Sequence, residues 1–141
     1  MIKVLIDTNI IIDFLQDRQP FVVDAVRLFE KVDTGEVEGF IAATTITNIY
    51  YIVRRAAGVQ AAQDAIAQIL TDLHICAVDK SVLEQALSLN FRDFEDAVQY
   101  ASGVAYGVDI IVTRDASGFV DAEIPVMSPG ELNRTLDSKS T

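Results

Sequence analysis

Short apolar segments alternate along this chain with longer segments in which apolar residues recur every three or four positions. The first short segment, residues 2–6, is almost purely apolar and ends at Asp7. A run of this kind is typical of a strand that is buried on both faces of a parallel sheet. By the same reasoning we expect further strands at Gly39–Ala43, Ile75–Val78, Asp109–Thr113 and Pro125–Met127.

The segments between these strands have the periodicity of amphipathic helices. The clearest example follows Pro20, a favourable first-turn residue, and continues to Gly35. The predicted helices are Ile10–Gln16, Pro20–Gly35, Thr44–Gly58, Ala61–Leu73, Ser81–Leu89, Asp93–Tyr106 and Pro129–Leu136. Strands separated by helices predict an α/β protein whose parallel sheet is covered by helices on both faces.

The domain organisation of the 141-residue chain is simple, because the sequence contains no internal repeat, low-complexity tract or interdomain linker. One domain is the default at this length, at which folding buries about two-thirds of the surface. Only the polar stretch from residue 136 to residue 141 differs in composition. We therefore predict a single domain over residues 1–135 and a flexible C-terminal tail over residues 136–141.

Cysteine and histidine are scarce, which narrows the possible chemistry. Cys76 and His74 are the only residues of their types. A single cysteine excludes a disulfide framework and a cysteine-rich zinc site, and a single histidine excludes a multi-histidine metal site or a histidine-based catalytic pair. Any catalysis must therefore depend on carboxylates.

Charge and hydropathy bear on partners and location. With 11 basic and 21 acidic side chains the formal net charge is −10, which weakens the long-range attraction on which nucleic-acid binding usually depends. Two bound divalent cations would change −10 to −6, so the charge does not exclude a nucleic-acid substrate. Asp7 interrupts any signal-peptide segment, and no apolar run approaches the roughly 18 residues of a membrane span. We expect a soluble, cytoplasmic protein without a membrane partner.

Acidic residues cluster where the predicted sheet would place a ligand site. Asp7 comes directly after the first strand, and Asp115 lies two residues after the fourth. Ligand sites of parallel α/β sheets lie beyond the carboxyl ends of the strands, so both acids belong at one edge. Asp93, Glu95 and Asp96 fall at the start of the helix that leads into the fourth strand, with Asp93 and Asp96 on one face.

Such a cluster predicts a metal site. Two unit charges about 5 Å apart repel by roughly 3 kcal/mol at an effective dielectric near 20, so converging carboxylates need a cation. Oxygen ligands suit Mg²⁺ or Mn²⁺, and the corresponding chemistry is metal-assisted phosphodiester hydrolysis. Each acid also has a purely structural interpretation: Asp7 or Asp93 as a helix cap, Asp96 as a first-turn acid, and Asp115 as a turn residue. Their joint placement favours the metal site.

Three motifs stand in order along the chain. They are Val4-Leu5-Ile6-Asp7-Thr8-Asn9, then Asp96-Ala97 at a helix start, then Ile111-Val112-Thr113-Arg114-Asp115 followed by Phe119. Together they resemble the PIN-domain nuclease family, whose best-populated bacterial branch is the toxin half of toxin–antitoxin pairs. The resemblance implies a three-layer α/β/α sandwich with a mostly parallel sheet of about four or five strands. It also implies Mg²⁺- or Mn²⁺-dependent cleavage of single-stranded RNA by a homodimer that a small antitoxin protein holds inactive.

Residue by residue, the acids that resemble the catalytic and metal-binding acids of that family are Asp7, Asp96 and Asp115. The family usually has another acid, a glutamate on the helix after the second strand, and Asn48 occupies that position here. No Asp or Glu occurs between Gly39 and Gln63. An asparagine can offer a carbonyl oxygen, but it adds no charge and cannot act as a base. We expect weakened catalysis unless Asp93 or Glu95 compensates, and a gain in rate from Asn48→Glu.

Secondary candidates surround these acids. Thr8 and Thr113 are expected to orient the neighbouring carboxylates through hydroxyl hydrogen bonds, and Arg114 to contact a phosphate. Two alternatives stay open. The missing glutamate could leave a PIN-like module that binds RNA or protein without turnover, or Asp7 could be the phosphoryl acceptor of another doubly wound fold. Against the second stand Asn9, where haloacid-dehalogenase phosphatases have an aspartate, and the lack of the acids and late lysine of response-regulator receivers.

Overall fold

A parallel five-stranded sheet forms the centre of the computed structural model, which describes residues 1–139. The strands are β1 (Ile2–Ile6), β2 (Val37–Ala42), β3 (His74–Cys76), β4 (Ile110–Val112) and β5 (Val126–Met127). The helices are α1 (Thr8–Leu15), α2 (Val22–Asp33), α3 (Ala43–Ala57), α4 (Val59–Asp72), α5 (Lys80–Ser88), α6 (Phe94–Ala105) and α7 (Pro129–Lys139), with a 3₁₀ turn at Ala116–Phe119. The predicted α/β class and parallel sheet are confirmed.

The strand order places β1 at the centre of the sheet. The order is β3-β2-β1-β4-β5, so the chain runs outward from β1 in one direction through β2 and β3, and in the other through β4 and β5. Leu5 of β1 pairs with Phe40 of β2 on one side and with Ile111 of β4 on the other. The carboxyl ends of β1 and β4 therefore flank the point where the strand order reverses, the usual position of a ligand site in such sheets.

Side chains of β1 alternate between two buried layers. Val4 and Ile6 belong to a large apolar cluster with side chains of α1, α2, α3, α4 and α7. Leu5 points to the opposite face, where it belongs to a cluster with Tyr100 of α6. Helix α5 packs on the outside of α6 through Val82 and neighbouring residues. The sheet thus lies between two helical layers, which confirms the three-layer α/β/α fold.

The C-terminal helix extends the domain beyond its predicted boundary. Residues 136–139, predicted to be tail, are the last residues of α7, and Leu136 packs against the main core. Asp137 forms ion pairs with Arg27 and Lys31 of α2, each at 3.1 Å. The boundary predicted at residue 135 therefore falls inside α7, whose last turn is held by the ion pairs of Asp137 and by the apolar contact of Leu136. Residues 140–141 of the predicted tail lie outside the described residues.

The two rare residue types take no part in the site described below. Cys76 is fully buried in β3, and burial raises the pKa of its thiol to about 12, which makes it a poor nucleophile. His74 lies on the same strand, 3.4 Å from a carboxylate oxygen of Glu38 and against the ring of Phe40. None of the helices described for residues 1–139 is long and apolar enough to cross a membrane.

Candidate functional site

Asp7 lies at the carboxyl end of the central strand, and both of its carboxylate oxygens are held by hydrogen bonds. Its backbone N–H donates to Val112 O at 3.0 Å, which extends the pairing of β1 with β4 by one residue. Its Oδ1 accepts from the N–H of Thr8 at 2.8 Å, so Asp7 also caps α1. Its Oδ2 accepts from Thr113 Oγ1 at 2.8 Å. The orienting role predicted for Thr113 therefore has a direct contact, and Thr8 acts through its backbone N–H.

A buried amide from α6 links two of the acids. Gln99 is 1% exposed, and its Nε2 donates to Asp7 Oδ1 at 3.2 Å and lies 3.5 Å from Asp96 Oδ1. It lies one helical turn after Asp96, on the same face of α6. Its place in the site is not predicted from the sequence. The only available signal is a polar residue among Ala97, Val98, Tyr100 and Ala101, all of which are buried.

The first turn of α6 carries three more acids. Asp93 caps the helix by accepting a hydrogen bond from the N–H of Asp96 at 3.1 Å, and Glu95 and Asp96 follow in the first turn. The positive end of the helix dipole favours negative charge at these positions. The capping interpretation of Asp93 is therefore correct as local structure, and the same cap directs the helix start toward Asp7.

Asp115 begins the 3₁₀ turn after β4. Its N–H donates to Thr113 Oγ1 at 3.0 Å, the same hydroxyl that donates to Asp7. Its Oδ1 accepts from the N–H of Ser117 at 3.2 Å and from the Ser117 hydroxyl. Thr113 thus bridges two strand-end acids, and the turn residues hold Asp115 in place.

These elements enclose one acidic cavity of about 190 Å³. Its lining residues are Asp7, Thr8, Asn9, Asp93, Glu95, Asp96, Gln99, Asp115 and Phe119. The structure therefore brings together the three acids predicted as metal ligands, together with the secondary candidates Thr8, Asp93 and Glu95. Thr113 does not line the cavity, but its hydroxyl donates a hydrogen bond to Asp7, which does.

Burial and the neighbouring negative charges raise the pKa of two carboxyls in the cavity. The pKa of Asp96 is raised from 3.8 to about 7, first by burial and then by the charges of Asp7, Asp93, Glu95 and Asp115. The pKa of Glu95 is also raised, by burial and by Asp93 and Asp7, while its hydrogen bond with Asn48 acts in the opposite direction. A cavity with these groups is stabilised by either a proton or a cation.

The donor set matches a hard divalent ion in its chemistry. Every anionic group in the cavity is a carboxylate, which suits Mg²⁺ or Mn²⁺ rather than a soft metal. Within residues 1–139 no three His, Cys, Asp or Glu side chains already surround a single point at the spacing of a metal site. Instead Asp7 and Asp115 accept hydrogen bonds from Thr113 and Ser117. A carboxylate has about four lone-pair positions, so both acids retain positions with which to bind a cation beside these hydrogen bonds.

Besides Thr113, two secondary candidates lie outside the cavity lining. Asn48 of α3 reaches it only indirectly, since its Nδ2 donates to Glu95 Oε1 at 2.8 Å. Arg114 turns away from it and forms a two-point ion pair with Asp13 of α1, at 2.6 and 3.1 Å. The guanidinium also lies over the ring of Phe21, 3.9 Å from its centre. Arg114 thus makes a structural contact between the β4 loop and α1, and the contact with a phosphate expected for it stays a prediction.

Comparison with known proteins agrees with this arrangement. A ribonuclease of Aquifex aeolicus (strain VF5), Ribonuclease VapC1, is 28% identical over 138 residues, which is 92% of this chain and 92% of the relative. The solved structure of VapC20 from Mycobacterium tuberculosis, described as a sarcin-ricin loop cleaving toxin, has a TM-score of 0.69 at 19% identity and covers 84% of this chain and 95% of that one. A toxin–antitoxin complex from Klebsiella pneumoniae has a TM-score of 0.67 at 21% identity, with coverages of 89% and 97%.

The family assignment depends on a match over most of the sequence. The sequence profile of the PIN domain matches residues 3–117, a span that begins in β1 and ends in the 3₁₀ turn after β4. It includes every residue that lines the acidic cavity except Phe119. The alternative of a phosphoryl-acceptor fold is thereby removed. This chain belongs to the PIN-domain family.

Proposed function

We propose that this protein is a Mg²⁺- or Mn²⁺-dependent endoribonuclease that cleaves single-stranded RNA and is the toxin of a toxin–antitoxin pair. The observation that carries the proposal is the group of five carboxylates lining one cavity at the sheet edge of a PIN domain. The name of the Aquifex relative supports ribonuclease activity, and the description of the Mycobacterium structure supports a toxin.

The proposed roles follow from the positions of the acids. Asp7, Asp96 and Asp115 approach from β1, α6 and the β4 loop, so they can hold a cation from three directions. Bound there, the ion would offset the charge of a phosphodiester and activate a water molecule for attack. Without such compensation the cavity repels the phosphate that it must bind, because its own residues supply only negative charge.

The neighbouring residues fix the geometry of the central acid. Thr113 donates to one oxygen of Asp7, and the Thr8 N–H and Gln99 donate to the other. These donors restrict the rotation of the Asp7 carboxylate. Asp7 is therefore preorganised to serve as a fixed ligand of the ion.

A second protein and a second copy of the chain complete the proposal. The Klebsiella structure is a toxin–antitoxin complex, which supports a small antitoxin as the partner that holds this chain inactive. We further propose a cytoplasmic homodimer. Co-expression with the product of an adjacent short reading frame, followed by light scattering, tests both features: a complex that loses nuclease activity supports the antitoxin, and a free toxin with the mass of one chain contradicts the dimer.

Cleavage of a labelled, unstructured RNA tests the activity. The parent should cleave it with Mn²⁺ or Mg²⁺, and cleavage should stop in excess chelator. The parent should not cleave duplex RNA or single-stranded DNA. Asp7→Asn should lower the rate by about 10²-fold or more, because it weakens the charge stabilisation of the transition state. Asp64→Asn is the matched control and should keep the parental rate, because Asp64 is exposed on α4, does not line the cavity and accepts a hydrogen bond from Gln60.

The same assay separates the competing explanations. Equal rates in the parent and in Asp7→Asn would identify a contaminating nuclease. A parent that binds the RNA without cleaving it would favour the alternative of a binding module, for which the lack of a glutamate at Asn48 is the supporting feature.

A further inference from the structure

A hydrogen bond joins the two helical layers above the acidic cavity. Asn48 lies in the second turn of α3, on one side of the sheet, and Glu95 in the first turn of α6, on the other. The Nδ2 of Asn48 donates to Oε1 of Glu95 at 2.8 Å across 47 positions of sequence. Glu95 lines the cavity, whereas Asn48 does not.

This bond accounts for the amide at position 48. The segment from Gly39 to Gln63 contains no acid, so α3 contributes no carboxylate to the site. Glu95 instead places a carboxylate on the α3 side of the cavity, in contact with the very residue that replaces the expected glutamate. Two ionised carboxylates at that distance would repel each other unless a proton or a cation lay between them. An amide on α3 and an acid on α6 therefore form a matched pair.

We propose that Glu95 supplies the fourth carboxylate of the metal site and that Asn48 is the positioning residue that holds it there. This inference rests on the proposed metal-dependent activity. The fourth acid of the site then lies on α6 instead of α3, and the amide at position 48 does not leave the site one acid short.

The electrostatics of the cavity explain why Glu95 needs a partner. Its side chain is exposed, and the charges of Asp93 and Asp7 repel it from the cavity toward solvent. The Asn48 amide provides the opposing attraction through its hydrogen bond to Glu95 Oε1 at 2.8 Å. Without that donor, Glu95 would occupy rotamers directed into water for most of the time.

A purely structural pair makes different predictions. Glu95 would then be an ordinary first-turn acid, and its bond to Asn48 one exposed contact among several. The contact between Gln60 Nε2 and Asp64 Oδ1 on α4, at 2.9 Å, is an exposed amide–carboxylate pair of the same chemistry outside the cavity. Its variant Gln60→Ala is the matched control for loss of such a bond.

Mn²⁺ titration of the full-length protein, followed calorimetrically, tests the proposal together with kcat and KM for RNA. Glu95→Gln and Asn48→Ala should each weaken Mn²⁺ binding by about tenfold or more, the usual cost of losing a ligand or the partner that orients it. Asn48→Glu alone should lower the melting temperature of the metal-free protein, because it places a second carboxylate against Glu95. Its rate of cleavage with Mn²⁺ should not exceed that of the parent, in contrast to the gain expected from the sequence, because Glu95 already supplies the fourth carboxylate.

The double variant Asn48→Glu/Glu95→Gln provides the decisive comparison. It exchanges the acid and the amide between α3 and α6, so it should restore Mn²⁺ affinity to within about threefold of the parent and recover kcat more than KM. A merely structural contact would not show this rescue. Gln60→Ala should bind Mn²⁺ like the parent.

The outcomes distinguish this inference from the function on which it rests. Parental affinity in Glu95→Gln, with weakened binding in Asp7→Asn, would overturn the role of Glu95 and leave the nuclease proposal intact. Normal binding in Asn48→Ala with weak binding in Glu95→Gln would remove only the positioning role. A parent that binds no Mn²⁺ would overturn both proposals.

Discussion

The carboxylate of Asp96 lies directly against the backbone of Gly118. A Cβ atom added at Gly118 would come within 2.6 Å of Asp96 Oδ2 and within 3.4 Å of its Cγ. The first turn of α6 and the 3₁₀ turn after Asp115 can approach each other this closely only because position 118 has no side chain. Gly118 therefore determines how near two of the cavity acids lie.

Gly118→Ala should displace the Asp96 carboxylate and lower Mn²⁺-dependent cleavage by about tenfold to a hundredfold, since displacements near 1 Å have effects of this size. The measurement is kcat on a labelled RNA at saturating Mn²⁺. Val120→Ala, in the same loop but 79% exposed, is the control and should keep the parental rate. A parental rate in Gly118→Ala would show that the position of Asp96 does not limit the reaction.

The ion pair between Asp13 and Arg114 should be important for stability. Asp13 is fully buried, and Arg114 approaches it with two nitrogen atoms at 2.6 and 3.1 Å. Asp13→Asn leaves the guanidinium without its counter-charge and should lower the free energy of unfolding by about 2–4 kcal/mol, somewhat below the range for fully buried pairs because Arg114 is partly exposed. Urea denaturation measures the loss.

The exposed ion pair between Arg27 and Asp137 is the control for the buried pair. Arg27 and Asp137 are each about half exposed, so Arg27→Ala should cost less than about 1 kcal/mol. A loss in Asp13→Asn no larger than that of Arg27→Ala would contradict the structural role of the buried pair.

The raised pKa of Asp96 predicts how the stability of the metal-free protein depends on pH. The folded protein retains this proton up to about pH 7, whereas the unfolded chain releases it near the ordinary value of 3.8. The folded state therefore binds more protons in that window, and the contribution of Asp96 to stability falls as pH rises through it. Unfolding measured in chelator from pH 4 to pH 8 should show this fall.

Asp96→Asn should remove that part of the pH dependence and be more stable than the parent at pH 8 without metal. Mn²⁺ should raise the melting temperature of the parent more than that of the variant, because the ion binds the folded state and the variant lacks one ligand. An Asp96→Asn protein that is less stable than the parent in chelator would identify Asp96 as an ordinary first-turn acid of α6.

The convergence of the main acids follows from rules that a sequence makes visible. Asp7 and Asp115 follow predicted parallel strands, and Asp96 begins the helix between the sheet edge and β4. The alternation of strands and helices predicts parallel strands, whose carboxyl ends lie at one edge of the sheet, so it predicts that these acids share that edge. Whether they act as metal ligands stays a prediction.

Contacts between distant side chains could not be predicted in the same way. Asn48 and Glu95 lie on helices on opposite faces of the sheet, so no periodicity relates them. Asp13 and Arg114 are separated by 101 positions, and each is compatible with an exposed position until the fold is known. The burial of Gln99 could not be predicted either, because a buried amide needs an acceptor, and here that acceptor is the carboxylate of Asp7 on another element.

The last turn of α7 should contribute to the stability of the domain, contrary to the tail that composition suggests. Lys31 of α2 is only 11% exposed at its side chain, and its Nζ lies 3.1 Å from Asp137. Asp137→Ala should therefore destabilise the protein by about 1–3 kcal/mol, because a largely buried ammonium loses its counter-charge. Lys31→Met/Asp137→Ala should recover part of the loss, since methionine fills a similar volume without a charge.

Deletion of residues 136–141 should cost at least as much as Asp137→Ala, because the apolar contact of Leu136 with the core is lost as well. Urea denaturation of the four proteins measures each difference, and a deletion variant as stable as the parent would restore the boundary at residue 135.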